Sequence, residues 1–371
     1  MTTRIGIIGG GQLGQMLGHA GRTLGFECEF LDPSPNPPAA SAGPVSTAAF
    51  DDEEAIRELA SRVDVLTYEF ENVPVDALAT IDGVPVYPPL DALSKAQDRL
   101  YEKELFEALE IPLPKWHGVD TRDDLAAAAN RLGLPMVLKT RRFGYDGKGQ
   151  FVIREAANLD TAWSELGGSP LIAEAWVPFD YEVSAIAARS VDGDIEFYPL
   201  THNQHAGGIL RYSRAPVDIP ELDAQARRAI RRMLDELDYV GVLALELFVH
   251  DGILLANEFA PRVHNSGHWT IEGAATSQFA NHLLAVAGRK PGPAGARGHA
   301  GMCNLIGEIP AAARTLDIAG TVFHDYGKSP RPGRKLGHIT VVADTAAERD
   351  EKLAAIGETV TGSTPEFGTV E

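Results

Sequence analysis

The sequence predicts an α/β and α+β protein, with a doubly wound parallel sheet at the N-terminus and a larger region beyond it in which strands dominate. Three observations carry this expectation. Short apolar runs alternate with helical periodicity over the first 90 residues. From about residue 136, strand patterns separated by glycine-bearing turns take over. The chain has 371 residues, 44% hydrophobic and 23% charged, which is enough for two or three cores and argues against a collagenous or largely disordered polymer.

Residues 4–8 are an apolar run of strand length, after which Leu13, Leu17, Ala20 and Leu24 recur at helical spacing until Gly25 stops them. Residues 27–31 read as a second strand, 51–62 as a helix, 63–67 as a strand, 74–81 as a short helix and 84–87 as a further strand. This βαβαβ alternation implies a parallel sheet. A helix over 97–109 leads to Pro112 and Pro114, which mark a boundary. Residues 123–132 then read as helix, 136–139 as strand, 141–150 as a basic loop, 151–154 as strand, a helix follows to about 166, and 171–175 is again strand. Strands continue to about residue 210, with a turn at Asp192-Gly193. A helix over 221–237 precedes strands at 241–249 and 253–258, a hairpin around Asp251-Gly252. The Pro- and Gly-rich residues 290–298 read as a linker to a small terminal unit of strands and one helix.

Thirty-three Lys and Arg against 52 Asp and Glu give a net charge of -19, which disfavours a protein that grips a nucleic-acid backbone. A small phosphorylated ligand stays compatible, because local cations and backbone N–H groups suffice for it. Cys28 and Cys303, each in an apolar run, cannot staple a chain of this size and point to a reducing compartment. The first apolar run is too short for a signal-peptide core, and no stretch approaches the ~20 apolar residues of a membrane span. A cytoplasmic protein with no membrane partner is the expectation.

Five stretches carry chemistry. Gly9, Gly11 and Gly14 satisfy G-x-G-x-x-G between strand and helix, where backbone N–H groups meet an anion, and Asp32 ends the second strand where a dinucleotide fold keeps its ribose-binding acid. Alone, they suit an NAD-dependent enzyme or a sharp turn with no cofactor. Lys139 leaves a strand into a loop holding Arg141, Arg142, Gly144, Gly147, Lys148 and Gly149, a composition that suits a mobile flap over polyphosphate or an ordinary solvated hairpin. Glu246 lies in an otherwise apolar strand, where a lone carboxylate is costly, and Asn257-Glu258 ends the partner strand. Converging oxygens of this kind suit Mg²⁺ beside phosphate; the plain alternative is an ion pair with an arginine. A two-residue loop would pair Glu246 with Asn257 and turn Glu258 to the other face. A three-residue loop, His250-Asp251-Gly252, would pair Ala244 with Glu258 and set both acids on one face, and is the expectation. Arg262, His264, Asn265, Ser266 and His268 follow at once, a set able to hold a small oxyanion, with His268 the most easily explained as a structural hydrogen-bonding residue. Lys328, Arg331, Arg334, Lys335 and His338 lie within eleven residues and suit a phosphate loop or a solvated turn.

Together with the run Asn257-Glu258-x-x-Pro261-Arg262-x-His264-Asn265-Ser266-Gly267-His268, these features resemble the ATP-grasp ligases, and within them the 5-(carboxyamino)imidazole ribonucleotide synthases of purine biosynthesis. The likeness runs from Gly9 to His338. Residues 143–150, 198–211, 257–269 and 331–338 are particular to this branch. The resemblance implies a pre-ATP-grasp domain at 1–98, an ATP-grasp domain at 99–290 with a mobile lid at about 115–180, and a C-terminal unit at 291–371 that completes the substrate site. It implies that ATP turns bicarbonate into carboxyphosphate, from which the amine of 5-aminoimidazole ribonucleotide takes the carboxyl group. Arg99 and Lys139 match nucleotide phosphate contacts, and Gly144, Tyr145, Asp146, Gly147, Lys148, Gly149 and Gln150 the closing loop. Glu174, Ala175, Trp176 and Val177 match the adenine linker, Glu182 the ribose contact and His205 a nucleotide neighbour. Asn257, Glu258 and Glu246 match the phosphate and metal end, with Mg²⁺ as the ion and Mn²⁺ as its alternative. Arg262, His264, Asn265 and Ser266 match the bicarbonate pocket. Tyr145, Asp146 and Glu69 would face the aminoimidazole, with Gly11, Gln12 and Leu13 on the same side, and Lys328, Arg331 and Arg334 its ribose phosphate. A homodimer is also implied. The rivals are a formate-dependent glycinamide ribonucleotide transformylase, an NAD-dependent oxidoreductase and a silent nucleotide-binding protein.

Overall fold

The computed structural model describes residues 2–144 and 147–367. The first sheet contains β1 (Arg4–Ile8), β2 (Glu27–Asp32), β3 (Val45–Thr47) and β4 (Val65–Tyr68), all parallel, in the order β3-β2-β1-β4. Ile5, Ile7 and Ile8 are fully buried because helices cover both faces of β1. The strand expected at 84–87 is reduced to a single bridge between Leu66 and Val86. Pro85 and Pro88 remove the N–H donors that a longer ladder needs. The helix expected over 97–109 runs Arg99–Ala108, and Asp98 caps it by accepting from the Leu100 N–H at 3.0 Å.

A second sheet of four antiparallel strands holds β5 (Trp116–Val119), β6 (Met136–Thr140), β7 (Gln150–Ile153) and β8 (Leu171–Ala175) in the order β5-β8-β6-β7. Helices Arg122–Leu132 and Leu159–Leu166 close its own core around Leu125, Met136, Leu138 and Leu171. The large sheet is antiparallel and has nine strands. It is built from β9 (Tyr181–Arg189), β10 (Ile195–Phe197), β11 (Thr201–Ala206), β12 (Ile209–Ala215), β13 (Gly241–His250), β14 (Ile253–Ala260), β15 (His299–Ile306), β16 (Thr321–Asp325) and β17 (Lys335–Ala343). Its order is β14-β13-β9-β11-β12-β15-β17-β16, with β10 on β9.

One expectation is corrected here, that of the hairpin loop, while the terminal strands join the large sheet: β15 pairs with β12 from Tyr212 opposite Cys303 to Ala215 opposite Ala300. The linker before it therefore joins strands of a single sheet. The β13–β14 hairpin has a two-residue loop, Asp251 at φ 49° and Gly252 at φ 71°, between the paired His250 and Ile253. Positive φ at both positions is what a tight hairpin requires. The three-residue loop is absent, yet the acids still meet. A bulge places one extra residue, Asn257, between the pairs Leu247–Ala256 and Glu246–Glu258. Among the described residues no helix is long and apolar enough to cross a membrane.

Candidate active site

At the bulge, two residues of β14 oppose one of β13, so Asn257 and Glu258 both stand against Glu246. Glu182, His205, Glu246, Phe248 and Asn257 line one pocket there. One Glu246 oxygen and the Asn257 Oδ1 are buried with no hydrogen-bond partner. Burial drives the Glu246 carboxyl above its ordinary range, with His205 pulling the other way and Glu258 adding to the rise. Burial would raise Glu258 too, but the Arg99 guanidinium, with Nη1 2.8 Å from Oε2, holds it well below. Two adjacent acids with opposed tendencies and unspent oxygens form a set of hard donors suited to a divalent cation.

Lys139 on β6 donates to Glu174 Oε2 at 3.0 Å, and the buried Lys103 ammonium lies 3.6 Å from the same oxygen. Burial lowers Lys139, and Glu174 opposes that fall. For Glu174 burial is outweighed by Lys103, Lys139 and Arg99, which bring it down to about 2. The Glu174 side chain is thus committed to the lysines. In the linker that follows, the Ala175 and Trp176 N–H groups donate to Lys115 and Pro135 carbonyls, and Trp176 is 41% exposed. His205 Nδ1 and Glu182 share a short hydrogen bond across β9 and β11. That bond and Glu246 raise the imidazole despite its burial.

The loop between β6 and β7 differs from its expected electrostatics. Arg141 makes a bidentate pair with Asp98 at 2.7 and 2.8 Å, and Arg142 reaches the same carboxylate at 3.3 Å. These two cations anchor the base of the flap to the cap of helix Arg99–Ala108. Gly147 and Gly149 sit at φ 76° and 71°, conformations that side chains resist. Tyr145 and Asp146 lie outside the described residues.

In the run after β14, Arg262 forms a short ion pair with Glu71 of the first domain and donates to the Val263 carbonyl at 3.0 Å, while its Nε has no partner. Gln278 clamps His264 through both backbone groups, at 3.0 and 2.6 Å. His264 Nδ1 lies 2.9 Å from Ser266 Oγ and accepts from the Ser266 N–H at 3.3 Å, which leaves the ring proton on Nε2. Burial, with Arg262 beside it, lowers His264 to about 3, so it is neutral. Asn265 exchanges amide hydrogen bonds with Asn304 of β15 at 3.2 and 2.8 Å. His268 is 1% exposed and packs on Phe279 and His338, but its buried Nδ1 has no hydrogen-bond partner, where a hydrogen-bonding residue was expected.

The glycine loop is closed by the protein's own acids. The Gly10 N–H donates to Asp32 at 2.8 Å and the Gly11 N–H to Glu69 at 2.6 Å, so the amides a dinucleotide would need are already used. Burial raises Glu69 to about 7 against the pull of the Gly11 N–H and Arg262. Lys328 donates to Gln12 at 2.5 Å, which brings the terminal loop onto this side, and burial with the nearby Arg334 lowers it to about 8. Arg334 bonds the Ser329 carbonyl, and Arg331 is exposed with its backbone N–H on Gly307. Leu13, expected to face substrate, has its side chain 7% exposed within the core.

Sequence reasoning passed over Glu71, Glu102, Lys103, Phe248, Gln278 and Asn304. Phe248 was within reach, being two residues from Glu246 on the same strand face. Glu102 and Lys103 stand three and four residues from Arg99 on a helix. Glu71, Gln278 and Asn304 carry no local signal, because their partners are distant in sequence.

Comparison with known proteins gives the family. Residues 1–97 match the ribonucleotide synthetase preATP-grasp domain, 104–279 the ATP-grasp domain, and 300–352 the phosphoribosylaminoimidazole carboxylase C-terminal domain. The N5-carboxyaminoimidazole ribonucleotide synthase of Pseudomonas aeruginosa is 50% identical over 354 residues, 95% of this chain and 98% of that one. The crystal structure of the Thermus thermophilus synthetase superposes with a TM-score of 0.93 at 49% identity, covering 98% of this chain and 100% of the other. The Aspergillus clavatus synthase, crystallised with ADP and 5-aminoimidazole ribonucleotide, superposes with a TM-score of 0.89 at 31% identity, over 96% and 98% of the two chains. With half its residues shared with one such synthase along nearly the full length of both chains, and with matching domains in the same order, the chain belongs to the N5-carboxyaminoimidazole ribonucleotide synthase family of ATP-grasp ligases.

Proposed function

We propose that this chain carboxylates 5-aminoimidazole ribonucleotide with bicarbonate at the expense of ATP, giving N5-carboxyaminoimidazole ribonucleotide, ADP and phosphate in purine biosynthesis. The observation that carries the reading is the bulge at Asn257, which sets Glu246, Asn257 and Glu258 together beside the His264 loop. Bicarbonate is a poor electrophile, so the oxygen to be lost is first phosphorylated. The amine nitrogen then bonds to the carboxyl carbon, the bond from that carbon to the phosphate oxygen breaks, and the amine gives up a proton. Carboxyphosphate hydrolyses readily, so the two acceptors must be held close and dry.

Glu246, Asn257 and Glu258 would hold Mg²⁺, or Mn²⁺ in its place. Such an ion offsets charge on the triphosphate. Lys139 and Arg99 face the phosphates, with Gly144, Gly147, Lys148, Gly149 and Gln150 closing over them. The linker Ala175, Trp176 and Val177 receives adenine, and Glu182 with His205 the ribose. Arg262, neutral His264, Asn265 and Ser266 orient bicarbonate, and the Arg262 charge stabilises the oxyanion that develops. Glu69, Gly11 and Gln12 face the aminoimidazole, and Lys328, Arg331 and Arg334 its phosphate. We divide the chain at 98/99 and 290/291 and carry a cytoplasmic homodimer in the same proposal, with light scattering as its test. Release of ADP should require bicarbonate and 5-aminoimidazole ribonucleotide together. Release supported by formate and glycinamide ribonucleotide, and not by bicarbonate, would overturn the assignment.

A further inference from the structure

The alignment of Glu246 with Glu258 depends on a bulge, and a bulge leaves its extra residue outside the ladder. β14 is also the edge strand of its sheet, so its outer N–H and C=O groups have no neighbouring strand. Side chains of one helix and a proline carbonyl take that place. The Ala256 N–H donates to the Pro112 carbonyl at 2.7 Å. The Asn257 carbonyl accepts from Lys103 Nζ at 2.5 Å, Glu258 Oε2 accepts from Arg99 at 2.8 Å, and the Phe259 N–H donates to Glu102 Oε1 at 2.7 Å. Arg99, Glu102 and Lys103 stand at i, i+3 and i+4 of helix Arg99–Ala108 and share one face. Asn257 and Glu258 of the bulge and Phe259 after it are therefore each gripped by one of them.

Glu102 and Lys103 are 2% and 0% exposed. Ionisable groups are rarely buried so completely unless their polar atoms are used. The Lys103 ammonium also reaches Glu174, the acid that holds Lys139, so it touches both the strand of the carboxylates and the last strand of the lid. Resting on the reading of Glu246 and Glu258 as cation ligands, we propose that Glu102 and Lys103 are positioning residues, which clamp the bulge on either side of Glu258 and so set the spacing of the two carboxylates.

Three variants separate this role from simple support of the fold. Lys103→Met keeps length and packing and removes the donor, Glu102→Leu removes the acceptor, and Glu102→Gln retains an oxygen for the Phe259 N–H. In the metal-free protein, amide exchange at residues 256–260 should rise in Lys103→Met and Glu102→Leu, stay at the wild-type rate in Glu102→Gln, and remain unchanged in β11 and β12. Mn²⁺ titration with ADP present, followed by electron paramagnetic resonance, should show affinity lowered about tenfold or more in the first two variants and restored in Glu102→Gln. A purely structural role would lower Tm and leave the Mn²⁺ affinity alone. Wild-type exchange and Mn²⁺ affinity in either Lys103→Met or Glu102→Leu overturns the clamp; should Lys103→Met fail to fold, Glu102→Leu decides. A wild-type protein that takes up no Mn²⁺ instead refutes the metal reading on which the clamp rests, a result distinct from unaltered variants.

Discussion

Replacing Glu102 by glutamine should change how the stability of the metal-free protein depends on pH. The side chain is 2% exposed, one oxygen accepts the Phe259 N–H, and the other has no partner. Burial raises its carboxyl from 4.5 to about 8, outweighing the pull of Lys103 and Arg99. An acid raised on folding binds its proton more tightly in the native state than in the unfolded chain. The stability it contributes is therefore complete below pH 4.5 and drains away as pH climbs to about 8. At about 1.36 kcal/mol per pH unit across that window, the loss amounts to about 5 kcal/mol. Glutamine does not titrate, and any fixed cost of seating its NH₂ group is the same at every pH. Urea unfolding of both proteins, followed by circular dichroism from about pH 5 to 9, gives the test. The variant should gain on the wild type by about 1.4 kcal/mol per pH unit and level off above about pH 8. Parallel profiles would refute the reasoning. Such parallel profiles would mean that Glu102 is already ionised in the fold and paired with Lys103.

Glu258→Gln should cut bicarbonate-dependent ADP formation by about a thousandfold or more, since charge stabilisation at a phosphoryl-transfer site is worth about 4 kcal/mol, with circular dichroism unchanged; turnover near wild type would remove Glu258 from the metal site. Lys328→Ala should raise KM for the ribonucleotide about tenfold with KM for ATP steady, and an effect confined to ATP would move the terminal loop to the nucleotide. Because Lys328 is lowered to about 8, wild-type KM for the ribonucleotide should rise as pH passes that value, and the Lys328→Ala profile should be flat there.

Much of this architecture was readable without coordinates, because apolar periodicity is a local property. Strand runs at 4–8 and 27–31 and helical spacing from Leu13 to Leu24 match β1, β2 and helix Gln12–Leu24 closely. Two short strands, β3 and β5, were missed. They have three and four residues, too few to show alternation, and they form by pairing with a neighbour. The site was legible as residue types in runs, Asn257-Glu258 and Arg262 to His268 above all.

Register was the limit of that legibility. A turn of known length predicts which residues oppose each other only while the ladder is regular. The Asp251-Gly252 turn alone would have sent Glu258 to the wrong face. The same held for electrostatics, where Arg141 and Arg142 read as free cations until Asp98 claimed them. Fold class, most element positions and the chemistry of the key side chains were thus set by the chain's own composition and spacing, which act over a few residues. The bulge, the joining of β15 to β12 and the pairing of Arg262 with Glu71 were decided only by tertiary structure, because each depends on groups brought together from distant parts of the chain.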